Sequence, residues 1–190
     1  MRIITGSARG ARLDTLEGTD TRPTAERVKE AIFSMIQFEI EGRTVLDLFG
    51  GSGQMGLEAL SRGAQKATFV DNNPQAVQII KQNAKHTGLF EKSVVLNSDF
   101  RSYIRGNKGR EKFDIIFLDP PYDMKVLNET VQKLSEADMV RENGIIICEC
   151  DDPTPISCEG YKERRHAKYG RIYITVLVKE GENEDAQSDS

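Results

Sequence analysis

Hydrophobic positions change their spacing several times along the chain, and each change marks an element. Up to residue 18 the apolar residues form short extended runs broken by Gly6, Gly10 and Gly18, which predicts a hairpin-like arm. After Arg22-Pro23-Thr24 the spacing becomes helical: Val28, Ala31, Ile32, Met35 and Ile36 share one face, and Gly42 closes the helix. From Thr44 onward apolar strands alternate with amphipathic helices. Strands are predicted over 44–49, 66–71, 93–97, 113–118 and 144–150, each a nearly continuous apolar run of the kind covered on both faces of a parallel sheet. A helix carrying Gly56, Leu57, Ala59 and Leu60 follows the first strand. Val77, Ile80 and Ala84 mark another, opened by Asn73-Pro74 as cap and first helical residue, and Leu127, Val131 and Leu134 mark a third.

This alternation predicts a doubly wound α/β domain. Its end departs from the pattern: residues 161–169 and 171–178 read as two strands joined tightly at Tyr169-Gly170, so an antiparallel hairpin should complete the sheet. A chain of 190 residues with 38% hydrophobic content suits one core. The expected division is an appended arm and helix over 1–43, the main domain over 44–179 and an acidic tail over 180–190. A monomer is the default expectation at this size.

Composition narrows the classes. No run reaches the roughly 18 apolar residues of a membrane span, and the first residues lack a secretory apolar stretch, so a cytoplasmic location is expected. Cys148, Cys150 and Cys158 are odd in number and form no Cys-x-x-Cys pair, which predicts reduced thiols and no metal site. The net charge of -4 argues at first against a polyanionic partner. Five acids, however, lie beyond Lys179, and without them 26 bases face 25 acids. Arg2, Arg9, Arg12 and Arg22 in the first segment, Arg101 and Arg105 in the middle, and Arg164, Arg165 and Arg171 near the end are candidate contacts to nucleic-acid phosphates. They matter only where the fold gathers them around one site.

The candidate chemistry lies at the ends of the predicted strands. Val45 to Phe49 runs into Gly50-Gly51-Ser52-Gly53, a strand-to-helix turn whose glycines let backbone approach a ligand and leave helix amides facing it. Gly51, Gly53 and Gly56 also satisfy G-x-G-x-x-G, so the turn alone fits a nicotinamide dinucleotide as well as an adenosylmethionine. Asp71 ends the second strand 18 residues beyond Gly53, placed to accept from ribose hydroxyls, with Asn72 beside it. Asp99, after the third strand, can accept from an adenine amino group while Phe100 packs on the ring. Asp47, Asp71 and Asp99 should converge, with Phe49, on one sheet edge.

Phe113 to Leu118 delivers Asp119-Pro120-Pro121-Tyr122 to the same edge. Paired prolines stiffen the turn and leave carbonyl oxygens outward. The Asp119 carboxylate and the Pro120 carbonyl can accept both N–H donors of an exocyclic amine, localising its lone pair, and Tyr122 can stack on the attached base. Methylation of such a nitrogen needs positioning and electrostatics more than a strong base.

Taken together, these residues resemble the bacterial small-subunit ribosomal RNA guanine-N2 methyltransferases of the RsmD type, members of the class I S-adenosylmethionine-dependent enzymes. The likeness runs to about Lys179. It includes Arg2-Ile3-Ile4, Thr21-Arg22-Pro23-Thr24, Asp47-Leu48-Phe49-Gly50-Gly51-Ser52-Gly53, Gly56 through Ala64, Asp119-Pro120-Pro121-Tyr122 and Tyr169-Gly170. The resemblance implies that Asp47, Phe49, Gly51, Gly53, Asp71, Asn72, Asp99 and Phe100 hold S-adenosylmethionine and that Asp119 through Tyr122 hold a guanine of 16S ribosomal RNA within the assembling small subunit. Gln54-Met55 departs from the smaller pair usual in the family, Asp71 stands where glutamate is common, and Arg171 stands where an acid is often found. Three other readings stay open: an adenine-N6 methyltransferase, which the Asp-Pro-Pro-Tyr turn also suits; a nicotinamide oxidoreductase, which lacks a substrate domain here; and an RNA-binding assembly protein without catalysis.

Overall fold

The structure is a computed structural model, which describes residues 1–16, 23–121 and 124–181. Arg22 and Tyr122, both singled out above, lie outside the described residues, as does the tail from residue 182. Helix α1 (Pro23–Met35) precedes β1 (Thr44–Asp47), α2 (Gln54–Ser61), β2 (Lys66–Asp71) and α3 (Pro74–His86). A 3-10 turn over Phe90–Lys92 then leads to β3 (Ser93–Asn97), α4 (Phe100–Asn107), β4 (Phe113–Leu118), α5 (Met124–Glu136), β5 (Val140–Cys150), β6 (Tyr161–Tyr169) and β7 (Ile172–Lys179).

One sheet runs in the order β3-β2-β1-β4-β5-β7-β6. The first five strands are parallel, and β7 enters antiparallel between β5 and β6. The expected hairpin is therefore present. Its second strand is the one inserted against β5, and the tight Tyr169–Ile172 connection lies at the same edge as the carboxyl ends of the parallel strands. From β1 the chain winds outward to β2 and β3, then returns to start β4 on the other side, so a crevice opens where β1 and β4 end.

Each face has its own core. On one, Val28, Ile32 and Phe33 of α1, Leu57 and Leu60 of α2 and Ile80 of α3 cover Val45, Phe69, Ile115 and Phe117. On the other, Phe100, Tyr103 and Ile104 of α4 and Leu127, Val131 and Leu134 of α5 cover Leu46, Val70, Ile116 and Leu118. The arm is held by a single antiparallel bridge, Arg2 to Arg12, and inserts Ile3 and Leu13 into the first core. Its docking relies on buried charge. Glu58 accepts from the Ile4 and Thr5 amides and from Arg62, while Lys29, 1% exposed, pairs with it at 3.5 Å and donates to the Arg2 carbonyl at 2.6 Å.

Three expectations need correction: helix α1 ends at Met35 rather than running on to Gly42, and the other two concern α4 and β3. Helix α4 was not foreseen, because FRSYIRGN is short and carries only Phe100, Tyr103 and Ile104 as its apolar stripe. Strand β3 lies at the sheet edge and is half-exposed along its length rather than covered on both faces.

Candidate active site

Local rules build the crevice floor. Gly51 and Gly53 adopt φ of +56° and +78°, the left-handed region where a side chain is strained, so the chain can reverse between β1 and α2 within the six residues 48–53. The turn is then tied at both ends. The Gly51 amide donates to Asp71 at 2.8 Å, and the Gly56 amide donates to Asp47 at 3.1 Å. A Cβ built on Gly51 would meet nothing closer than the Phe49 carbonyl at 4.0 Å, so this glycine faces open space at the mouth of the crevice.

Asp47, Asp71 and Asp119 lie close enough to feel one another's charge, and Asp99 follows β3 at the same end of the sheet. Asp71 uses its second oxygen on the Asn73 amide at 2.8 Å, and Asn73 in turn caps α3. Asp99 caps α4 through the Arg101 and Ser102 amides, which already engage one of its carboxylate oxygens. Phe100 is buried against Phe49, ring centroids 5.3 Å apart, with the Arg101 guanidinium over its outer face at 4.4 Å. Asn72 is exposed in the turn. Asp47 is 4% exposed, and its visible contact is with the first turn of α2 rather than with the open crevice. Burial raises its carboxyl to about 7, helped by the charges of Asp119 and Asp71.

Asp119 lies one residue past β4, with Pro120 buried beneath it and Pro121 exposed. Its side chain stays open to water along the crevice although protein crowds its other sides, and that crowding lifts the carboxyl to about 6. Glu149 was not foreseen. It occupies β5 beside Asp119, and burial first, then the Asp119 charge, raises it to about 8. Nothing in the sequence separated Glu149 from an ordinary strand residue. Only the β4–β5 register brings it to the crevice.

A family model described as Conserved hypothetical protein 95 matches residues 1–178. Ribosomal RNA small subunit methyltransferase D of Escherichia coli is 31% identical over 187 residues, covering 97% of this chain and 92% of that protein. The same-named protein of Haemophilus influenzae is 32% identical over 157 residues, covering 82% and 81%. The chain belongs to the RsmD-type family of methyltransferases. The solved structure of the E. coli protein yhhF superposes with a TM-score of 0.84 at 28% identity, covering 96% of this chain and 99% of that one.

The crevice suits S-adenosylmethionine, with which the Thermus thermophilus 16S rRNA methyltransferase RsmC, 18% identical and alike in fold at a TM-score of 0.65, was solved. Glycine backbone lies open at the turn, and Asp71 and Asp119 lie near enough to Asp47 to raise its carboxyl. Gln54, the first residue of α2, adds a buried Oε1 with no hydrogen-bond partner among the described residues. Among these residues no group of His, Cys, Asp or Glu could hold a metal ion, and no helix is long and apolar enough to cross a membrane. Cys148, Cys150 and Cys158 are free thiols.

The basic residues do not all converge. Arg101 and Arg105 lie on α4, which starts at the crevice, and Arg171 sits in the hairpin turn at the same edge. Arg101 already pairs with Glu129 through two nitrogens at 2.7 and 2.6 Å. Arg9 belongs to the part of the arm bonded to Ser61 at the far end of α2, and Arg2 pairs with Glu26. Arg164 lies near the start of β6, away from the crevice, bound to Glu39 at 2.7 Å. Arg12 and Arg165 are exposed.

Proposed function

We propose that the protein methylates the exocyclic N2 of a guanine in 16S ribosomal RNA, presented by the assembling small subunit in the cytoplasm. The observation that carries this reading is the placement of Asp119 and Pro120 at the end of β4, directly across the crevice from the glycine turn at the end of β1. When bound, S-adenosylmethionine supplies an electrophilic methyl group. Gly51, Gly53 and Asp71 would hold it at the turn, and Asp99 and Phe100 would border its adenosine. The Asp119 carboxylate and the Pro120 carbonyl accept the two N2 hydrogens, which localises the nitrogen lone pair toward the methyl. Asp119 is also placed to receive the proton that the nitrogen gives up once it is alkylated. Tyr122 is assigned to base stacking by its sequence position.

Support for an RNA substrate comes from the ribosomal RNA methyltransferases of E. coli and H. influenzae, which match this chain over most of their length, and from the cations Arg101, Arg105 and Arg171 at the same end of the sheet. Incubation with labelled adenosylmethionine against small subunits from a methylation-deficient strain, bare 16S RNA and duplex DNA tests the reading. N2-methylguanosine from the subunits is expected. N6-methyladenine, or label only in DNA, overturns it. Affinity for RNA should also fall steeply with added salt, and a flat dependence would remove the phosphate contacts.

A further inference from the structure

Sheet register places a second carboxyl beside the one that holds the target amine. Leu118 of β4 pairs with Cys148 of β5, so the next residues, Asp119 and Glu149, leave adjacent parallel strands at the same height. Strands in a sheet are about 4.8 Å apart, so the two carboxyls enter the crevice together. The Glu149 carboxyl makes no hydrogen bond or ion pair with any described residue, and the residue paired with Glu149 on β7 is apolar Ile174. A half-buried carboxyl without a donor, next to another carboxyl, is unfavourable unless a ligand supplies the donor.

Guanine supplies one in the right place. Its edge presents N1–H immediately beside the N2 amine, whereas adenine presents a bare N1 acceptor beside its N6 amine. With N2 held at Asp119 and Pro120, the adjoining N1–H falls toward the neighbouring strand. We infer that Glu149 accepts the N1–H of the target base and is the residue that selects guanine over adenine at this crevice. The Asp119-Pro120 pair reads an amine of either base, so discrimination must come from a second group, and Glu149 is placed for it. In the free protein, burial and the Asp119 charge keep Glu149 protonated near neutral pH; when N1–H, the N2 hydrogens and a cationic sulfonium enter the crevice together, the proton leaves to solvent and the carboxylate becomes the acceptor.

This inference rests on the guanine-N2 reading, and 2-aminopurine separates the two. That base keeps the N2 amine but has an acceptor at N1. Small subunits reconstituted with guanine or 2-aminopurine at the mapped methylation position are compared by kcat/KM for wild type and Glu149→Ala, with adenosylmethionine affinity measured alongside. Wild type should prefer guanine by about 10- to 100-fold, the range of one hydrogen bond to a charged acceptor. Glu149→Ala should lose that preference, to within about threefold, while binding adenosylmethionine as wild type does. If the variant slows on both bases alike, Glu149 is structural and the inference fails. An unchanged preference also overturns it while leaving the guanine reading intact. Absence of N2-methylguanosine from wild type overturns both.

Discussion

Gly56→Ala tests the link between core packing and the cofactor turn. On helix propensity alone the change should stabilise α2 by about 1 kcal/mol. Space decides otherwise: the added Cβ would stand 2.3 Å from Cε1 and 2.6 Å from Cζ of Phe69. Ordinary contact lies near 3.4 Å or beyond, so ring or helix must give way by about 1 Å. Phe69 is fully buried among Val45, Leu57, Ile80 and Phe117, which leaves it little room to turn. Overpacking a closed core costs about 1–3 kcal/mol, enough to cancel the propensity gain and leave a net loss of up to about 2 kcal/mol. The Gly56 amide also donates to Asp47, so moving α2 off β2 drags the glycine turn with it. The expected outcome is a lower urea midpoint with unchanged m-value, together with weaker adenosylmethionine binding by titration calorimetry. A variant as stable as wild type with intact cofactor affinity would refute the argument that Phe69 fixes the turn.

Asp119→Ala should abolish methyl transfer while leaving adenosylmethionine affinity nearly unchanged; equal loss of both in parallel binding and activity assays would remove its assigned role. Gly51→Arg should eliminate cofactor binding, because a side chain there enters the open mouth of the crevice from a left-handed backbone, and intact binding by calorimetry would refute it. Since burial holds Asp119 up near 6, its acceptor form is lost as pH falls through about 6, and the single-turnover rate should drop on the acid side there; a flat profile down to pH 5 contradicts it. Asp47 is likewise raised, to about 7, so the folded chain keeps a proton that the unfolded chain releases near its ordinary value. Its contribution to stability therefore declines as pH rises between about 4 and 7, a slope that Asp47→Asn should flatten in denaturation curves. Lys29→Met should cost about 3 kcal/mol and loosen the arm, seen as faster proteolysis before residue 16, because Glu58 loses a buried partner while keeping Arg62.

Much of this was determined by the sequence itself. Period and punctuation sufficed for the β-α alternation, the Asn73-Pro74 helix start, the glycine turn and the terminal hairpin, because each depends on neighbours within a few residues. The Asp-Pro-Pro turn was legible for the same reason: proline fixes backbone wherever it occurs. Helix α4 escaped because eight residues hold too few apolar positions to show a period, and its stability comes from Asp99 and from packing on Phe49. What only the tertiary structure decided depends on contacts distant in the chain. The burial of the Lys29–Glu58 pair is decided only where the arm, α1 and α2 close around it. Arg2 and Arg164 read as free cations until Glu26 and Glu39 took them. Glu149 read as one polar residue in an apolar strand until β4–β5 pairing set it beside Asp119. Strand register is fixed by the whole sheet and shifts every side chain when it slips by one residue, so no local pattern could have revealed that pair.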